Sequence, residues 1–182
     1  QYEKSSFLED SLGKILLPTF GSISEDPHWQ TGPSSAPFDS DGMGTMQKYF
    51  VHHGCVKNYA LGGYAARKLK MEPTGNSGGC FNIAINGGDY NQKELIQATK
   101  SGLLITDLMG FGVNLLTGDY SRGAAGFLIE NGELVHAVEE ITIAGNLKEM
   151  LMGITQIGND EDIEASIKVG TLCIDSMMVA GG

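Results

Sequence analysis

The most constraining stretch of the chain is Gly118-Asp119-Tyr120-Ser121-Arg122-Gly123-Ala124-Ala125-Gly126-Phe127. Three glycines and two alanines sit among an acid, an arginine and two aromatics. Small residues at this density let a neighbouring backbone come close, and glycine allows turns closed to other residues. Leu128-Ile129-Glu130 follows, then Asn131-Gly132, then Glu133-Leu134-Val135. Asn-Gly between two apolar runs signals a hairpin with a type I′ turn, which needs positive φ at both central residues. A two-residue turn sets Ile129 opposite Leu134, Phe127 opposite His136 and Glu130 opposite Glu133. The last is a like-charge pair, which costs stability unless solvent or a cation relieves it. The second arm runs on through Ile141-Thr142-Ile143 to Asn146-Leu147.

Around this hairpin the chain breaks into short pieces. Ser6-x-x-Glu9 is a capping-box pattern and Gly13 a C-cap, which predicts a short helix over 7–12. Leu16-Leu17 and Ser22-Ile23-Ser24 are expected to be extended. Pro27 to Gly44 is rich in Pro, Gly, Ser and Asp with no periodicity, a long loop of the kind that is usually functional or interfacial. It holds the only tryptophan, Trp29, expected to be half-buried packing. Thr45 to Val51 and Cys55 to Leu61 read as strands around a His52-His53-Gly54 turn. Gly63 to Lys70 is a short helix that ends before Pro73. Gly75 to Gly79 is a polar loop, and Cys80 to Ile85 a strand. Asn91 caps a helix to Lys100 with Glu94 at its third position and Gly102 as terminator. Leu103-Leu104-Ile105 reads as a short buried strand. Asn146 caps another helix, with Glu149 three residues on and Leu147, Met150 and Leu151 on its buried side. Val169 to Ile174 and Met177 to Ala180 close the chain as strands. Many short strands and hairpins with a few short helices make the fold class α+β, β-rich and mostly antiparallel.

A chain of 182 residues with 26 glycines and 41% hydrophobic residues can bury a core as a single turn-rich domain. Its net charge of −10 repels phosphate backbones and argues against direct nucleic-acid binding. No apolar run approaches the ~20 residues of a membrane span. Cys55, Cys80 and Cys173 are odd in number and widely spaced, as expected of three reduced thiols in a cytoplasmic protein.

Few residues offer chemistry. His52-His53-x-Cys55 is the only His/Cys cluster, but zinc wants three or four converging ligands and no further donor stands at a familiar spacing. Gly75-Asn76-Ser77-Gly78-Gly79 could act as an anion nest, though it lacks the lysine and helix of a phosphate loop. No G-x-S-x-G nucleophile signature occurs. Arg122 could take a peptide carboxylate or carbonyl by bidentate hydrogen bonds; the plainer expectation is a structural ion pair with Asp119 or a neighbour. Asp119, Tyr120, Ser121, Arg122 and Gly123 are therefore the candidate substrate-binding set.

Those same residues carry a family resemblance. The Gly118–Phe127 block, the Glu130-Asn131-Gly132-Glu133 hairpin and Glu139-Glu140-Ile141-Thr142-Ile143-Ala144-Gly145-Asn146-Leu147 resemble the C-terminal part of the TldD/PmbA family, most closely its PmbA (TldE) branch. Further matching blocks run nearly end to end: Lys4 to Leu8 with Asp10 to Lys14, Glu25 to His28, Pro37 to Asp39 with Asp41-Gly42, Tyr64 to Lys68, Thr74-Gly75 with Gly78-Gly79, and Ile157 to Asp160. The resemblance implies a subunit of a two-subunit zinc metallopeptidase, in a family first described as a modulator of DNA gyrase. Chains of that family are well over twice this length, so residues 1–182 are expected to be the C-terminal domain of a longer protein. The zinc-bearing branch is marked by H-E-x-x-x-H on a helix, whose place in the family precedes Gln1, and by a cysteine near the position held here by Ile157-Gly158-Asn159-Asp160. No thiol stands in that turn, and Cys173 downstream reads as core. The resemblance therefore implies a subunit with no catalytic residue, metal ligand or cofactor of its own. It would pair with a zinc-bearing TldD-like subunit, or with itself, to enclose unfolded peptide. The alternative is a non-proteolytic binding module that acts on DNA gyrase or a toxin partner.

Overall fold

The computed structural model describes residues 6–181. In chain order the elements are β1 (Ile23–Glu25), β2 (Lys48–His52), β3 (Cys55–Val56), α1 (Gly63–Leu69), β4 (Ile83–Ile85), α2 (Gln92–Ala98) and β5 (Ser101–Met109), then β6 (Asp119–Glu130), β7 (Glu133–Asn146), α3 (Leu147–Met152), β8 (Ile154–Ile157), β9 (Ile167–Lys168), β10 (Leu172–Ile174) and β11 (Met178–Ala180). They form a five-stranded sheet β3-β2-β1-β4-β9, a four-stranded sheet β11-β7-β6-β5 and a β10-β8 pair. Every pairing is antiparallel except β4 with β9, which makes this the β-rich α+β fold expected from the sequence.

The β6–β7 hairpin closes as the Asn-Gly pair requires: Asn131 has φ 51° and Gly132 φ 83°. Ile129 faces Leu134 and Glu130 faces Glu133. Both glutamates are exposed, so water screens their repulsion. Phe127 departs from the expected register and faces Ala137, not His136. A bulge beside Leu128 adds one residue to β7. A second bulge follows at Glu140, which takes φ 54°. An extra residue on one strand shifts all later partners by one, and turn chemistry alone does not reveal it.

The helix expected over 7–12 does not form. Ser6 Oγ accepts from Leu8 N–H at 3.1 Å, and Glu9 and Ser11 bond back three residues. Asp10 then turns to φ 53°, which breaks the run after one turn. The capping box at Asn91 and Glu94 is present. α2 nevertheless ends at Ala98, and Gly102 lies inside β5 rather than terminating the helix. Leu103–Ile105 belong to a half-buried, nine-residue edge strand, longer and less covered than expected. Asn146 caps α3 through Lys148 N–H, and none of its residues is fully buried. The Cys80–Ile85 strand starts only at Ile83, because Asn82 sits at φ 44°.

Two cores result. Leu16, Leu17, Val51, Val56, Ile154 and Ile157 join the five-stranded sheet to β8. Ala124, Ile141 and Ile143 form the other, with Leu103, Ile105, Tyr120, Val138 and Met177 against them. The first sheet also buries charge. Glu25 is wholly buried, faces Lys48 in register and forms an ion pair with it. Asn76 completes the arrangement: Nδ2 donates to Glu25 at 2.8 Å, and Oδ1 accepts from Lys48 at 3.1 Å and from Thr74 at 2.8 Å. Phe81 N–H donates to Glu25 at 2.7 Å. A buried ion pair is tolerated only when its remaining donors and acceptors are met this way. The Gly75–Gly79 loop thus supplies a buried partner, which its sequence did not announce.

Asp39 holds the long loop. Its carboxylate accepts from Asp41 N–H at 2.9 Å, Met43 N–H at 3.0 Å and Ser77 N–H at 2.9 Å. Trp29, half-buried as expected, carries Lys168 Nζ 3.4 Å from its ring centre, a contact of the cation–π type.

The backbone N–H of Ser77 foremost, with those of Met43 and Asp41, holds the Asp39 carboxyl below the usual carboxylate range. A depressed folded pKa contributes stability above the unfolded value of about 3.9, and that stability is lost as pH falls through the folded value. Asp39→Asn is therefore expected to melt below wild type at neutral pH, with the gap closing from about pH 5 downward. Thermal melts across that range decide it; a gap that stays constant refutes the role given to Asp39.

Candidate functional site

The segment joining β5 to β6 folds back along the start of β6. Ser121 N–H donates to Gly112 O at 2.6 Å, Asn114 N–H to Asp119 O at 2.8 Å, and Gly118 N–H to Asn114 O at 2.8 Å. A Cβ on Gly112 would overlap the Ser121 carbonyl, so only glycine permits this approach. Asn114 Oδ1 caps the turn by accepting from Leu116 N–H at 3.0 Å. Between loop and strand lies an open cleft of about 630 Å3, lined by Phe111–Leu115 and by Asp119, Tyr120 and Ser121. Its outer rim is apolar: Phe111 is fully exposed, and Leu115 and Leu116 are 62% and 56% exposed.

Three of the five residues singled out in the sequence, Asp119, Tyr120 and Ser121, meet at this cleft. Asp119 accepts from Thr117 Oγ1 at 2.6 Å and from Asn146 Nδ2 at 3.4 Å. The ring of Tyr120 packs into the second core. Arg122 and Gly123 lie outside the cleft lining. The expected Arg122–Asp119 ion pair does not form; Glu25–Lys48 is the one salt bridge among the described residues. Arg122 Nη2 donates to Leu108 O at 3.0 Å, and its buried Nε has no partner. Asp119 is already held by Thr117 and Asn146, while Arg122 shares the Ile143 side of the sheet through the β6–β7 register. The cleft's other wall, Phe111–Leu115, was not singled out from the sequence. Its signal was an aromatic in an uncharged run from Leu108 to Gly118.

Three of the histidines make local contacts. The His52 ring lies 4.3 Å from Tyr49 and 4.1 Å from His53 between centroids. His53 Nδ1 is 3.3 Å from Thr19 O, and His28 Nε2 is 3.1 Å from Thr45 Oγ1. Among the described residues no three His, Cys, Asp or Glu side chains gather as ligands for a metal. Burial, then the Glu25 charge, pushes the Cys80 thiol up; burial, then Asp160, does the same to Cys173. Neither environment favours a reactive thiolate. Cys173 is half-buried, less enclosed than a core position. At Asp160 burial raises the pKa, but the Thr171 hydroxyl and N–H outweigh it and the net shift is downward. That carboxylate anchors Thr171, with Oδ2 accepting from its Oγ1 at 2.7 Å.

The two glycines of β6 are not equivalent. Neither has positive φ, so close approach is what matters. A Cβ at Gly126 would overlap the Leu104 carbonyl, whereas one at Gly123 meets Met109 Cβ at an ordinary 3.5 Å. Gly126→Ala is expected to cost about 1–3 kcal/mol, the range for overpacking. Gly123→Ala should fall well below that, and Arg122→Ala should cost about 1 kcal/mol for its one hydrogen bond. Denaturant titrations give the ranking; Gly123→Ala as damaging as Gly126→Ala would refute the close-approach account.

Comparison with known proteins places this geometry. The family model described as PmbA/TldA metallopeptidase C-terminal domain matches residues 1–181. Metalloprotease PmbA of Escherichia coli O157:H7 is 45% identical over 180 residues, 99% of this chain and 40% of that protein. A PmbA homolog of Haemophilus influenzae is 44% identical over the same shares of both chains. This chain thus spans about two fifths of the length of these curated relatives. A crystal structure of a candidate modulator of DNA gyrase from Bacteroides thetaiotaomicron superposes with a TM-score of 0.95 at 29% identity, covering 99% of this chain and 41% of that one. One from Thermotoga maritima gives 0.89 at 33% identity, with 98% and 43% covered. No helix among the described residues is long and apolar enough to cross a membrane. From the full-length family match and the 45% identity, the chain belongs to the PmbA/TldD metallopeptidase family, as its C-terminal domain.

Proposed function

We propose that this domain acts in a PmbA/TldE-type subunit without zinc of its own. It pairs with a zinc-bearing TldD-like subunit, or with a second copy, and helps enclose unfolded peptide for cleavage. The observation that carries this reading is the cleft between the 110–118 loop and Asp119–Ser121, at the motif that marks the family. Its walls are loop and strand backbone with apolar side chains, and Asp119 is already engaged by Thr117 and Asn146. Such a surface suits the repeating amides of an extended peptide better than a charged ligand, since main-chain hydrogen bonds give affinity without reading sequence. The net charge of −10 speaks against nucleic acid as the ligand. The three cysteines, all unpaired, fit a reducing cytoplasm.

In this reading the catalytic metal belongs to the partner. Metal analysis of tag-free protein should find no stoichiometric zinc, and peptide cleavage should appear only on mixing with the zinc-bearing subunit and vanish with a chelator. About one zinc per chain, or chelator-sensitive cleavage by this chain alone, would overturn the assignment. Binding to gyrase or a toxin that persists under the chelator, with no turnover in the mixture, would favour a modulator that does not cleave.

A further inference from the structure

We propose that Asn86 is a modification site, deamidated by attack of the Gly87 backbone nitrogen, and that the fold protects Asn131 from the same reaction. Asn86-Gly87 and Asn131-Gly132 are the two Asn-Gly pairs of the chain. Glycine offers the least hindrance to this chemistry, because it has no side chain to crowd its own nitrogen and its backbone turns freely. The glycine nitrogen loses its proton and bonds to the asparagine Cγ. The bond from Cγ to the amide nitrogen then breaks and ammonia leaves. Water opens the resulting succinimide ring to aspartate or isoaspartate. One water enters, one ammonia departs, a negative charge is gained, and nothing is oxidised or reduced.

The attacking nitrogen separates the two pairs. In the β6–β7 turn, Gly132 N–H donates to Thr99 O at 2.9 Å and Asn131 N–H to Lys100 O at 2.7 Å. A Cβ on Gly132 would stand 2.6 Å from Gln97 O, so residues 97–100 clamp the turn, and ring closure there must pull the nitrogen off Thr99. Asn86-Gly87 opens the loop from β4 to α2, and both residues are exposed. Asn86 N–H donates to Ser22 O at 3.2 Å and Gly88 N–H to Ile157 O at 2.7 Å. Between them, Gly87 N–H has no acceptor among the described residues, and the Asn86 side chain has no hydrogen-bond partner among them. Ring closure at this pair therefore breaks no hydrogen bond of the fold. The loop also lies on the Ile157–Asp160 turn: Asn159 N–H donates to Tyr90 O at 2.9 Å and Asn159 Nδ2 to Asp89 O at 3.1 Å. A Cβ on Gly87 would stand 2.7 Å from Gly158 O. The reaction thus adds a carboxylate, or in isoaspartate one more backbone atom, to a loop packed directly against that turn.

The test is peptide mapping by mass spectrometry of the folded chain aged in mildly alkaline buffer, with the chain in denaturant aged alongside. In the folded chain, aspartate and isoaspartate at position 86 should accumulate roughly two- to tenfold faster than at position 131, the factor that one retained hydrogen bond is worth. In denaturant the two rates should converge, since both pairs then have a free glycine nitrogen. Equal rates in the folded chain, or a faster Asn131, would overturn the proposal. So would a preference for Asn86 that persists in denaturant, because local sequence rather than the fold would then set it. Absence of product at Asn86 over the time in which the denatured chain converts would overturn it as well.

Discussion

Close backbone approach along β6 is the constraint on which the functional half of this domain depends. Strands pair about 4.8 Å apart, and β6 must accept β5 on one side and β7 on the other. At Gly126 the space for a Cβ is taken by the Leu104 carbonyl, and at Gly112 the loop meets the Ser121 carbonyl in the same way. The small residues of the motif are therefore a record of what lies against them. They let Ala124 sit wholly buried between Ile141 and Leu108 in register, and they let the loop turn back to make the cleft.

The other half depends on a buried charge. Glu25 and Lys48 lie opposite one another at adjoining strand ends, and Asn76 hydrogen-bonds to both. Removing one partner of such a pair leaves an uncompensated charge, which costs about 3–5 kcal/mol. The arrangement fastens the Gly75–Gly79 loop to the sheet, and Asp39 fastens the long Pro27–Gly44 loop to that one through Ser77. Segments without regular secondary structure are thereby held at defined positions by side-chain acceptors.

The cleft offers shape and backbone rather than reactive side chains. Its acid is engaged, its tyrosine ring is turned into the core, and its arginine neighbour bonds the Leu108 carbonyl. What it presents outward is an aromatic on an uncharged loop. These properties suit enclosing a chain or meeting another surface.

Several features were legible in the sequence because their causes are local. Asn131-Gly132 specifies a turn with two positive φ values, Asn91 and Glu94 specify a capping box, and the ordered family motifs specify the domain. The β6–β7 register was legible only as far as Ile129–Leu134, since each of the two bulges beyond it adds a residue to β7 that turn chemistry does not announce. The helix expected over 7–12 failed for a related reason. A capping pattern states a preference worth about 1 kcal/mol, and the one turn it starts ends where Asp10 adopts a left-handed backbone. Arg122 and Asp119 stand three residues apart, which on a strand places them on opposite faces, so their ion pair was excluded once β6 ran unbroken through both. Tertiary structure alone decided that Asn76 would complete a buried ion pair, that Gly112 would bring a loop onto Ser121, and that Phe111 would stand in solvent. Each depends on residues far apart in the chain, or on what is left uncovered, and no local propensity encodes either.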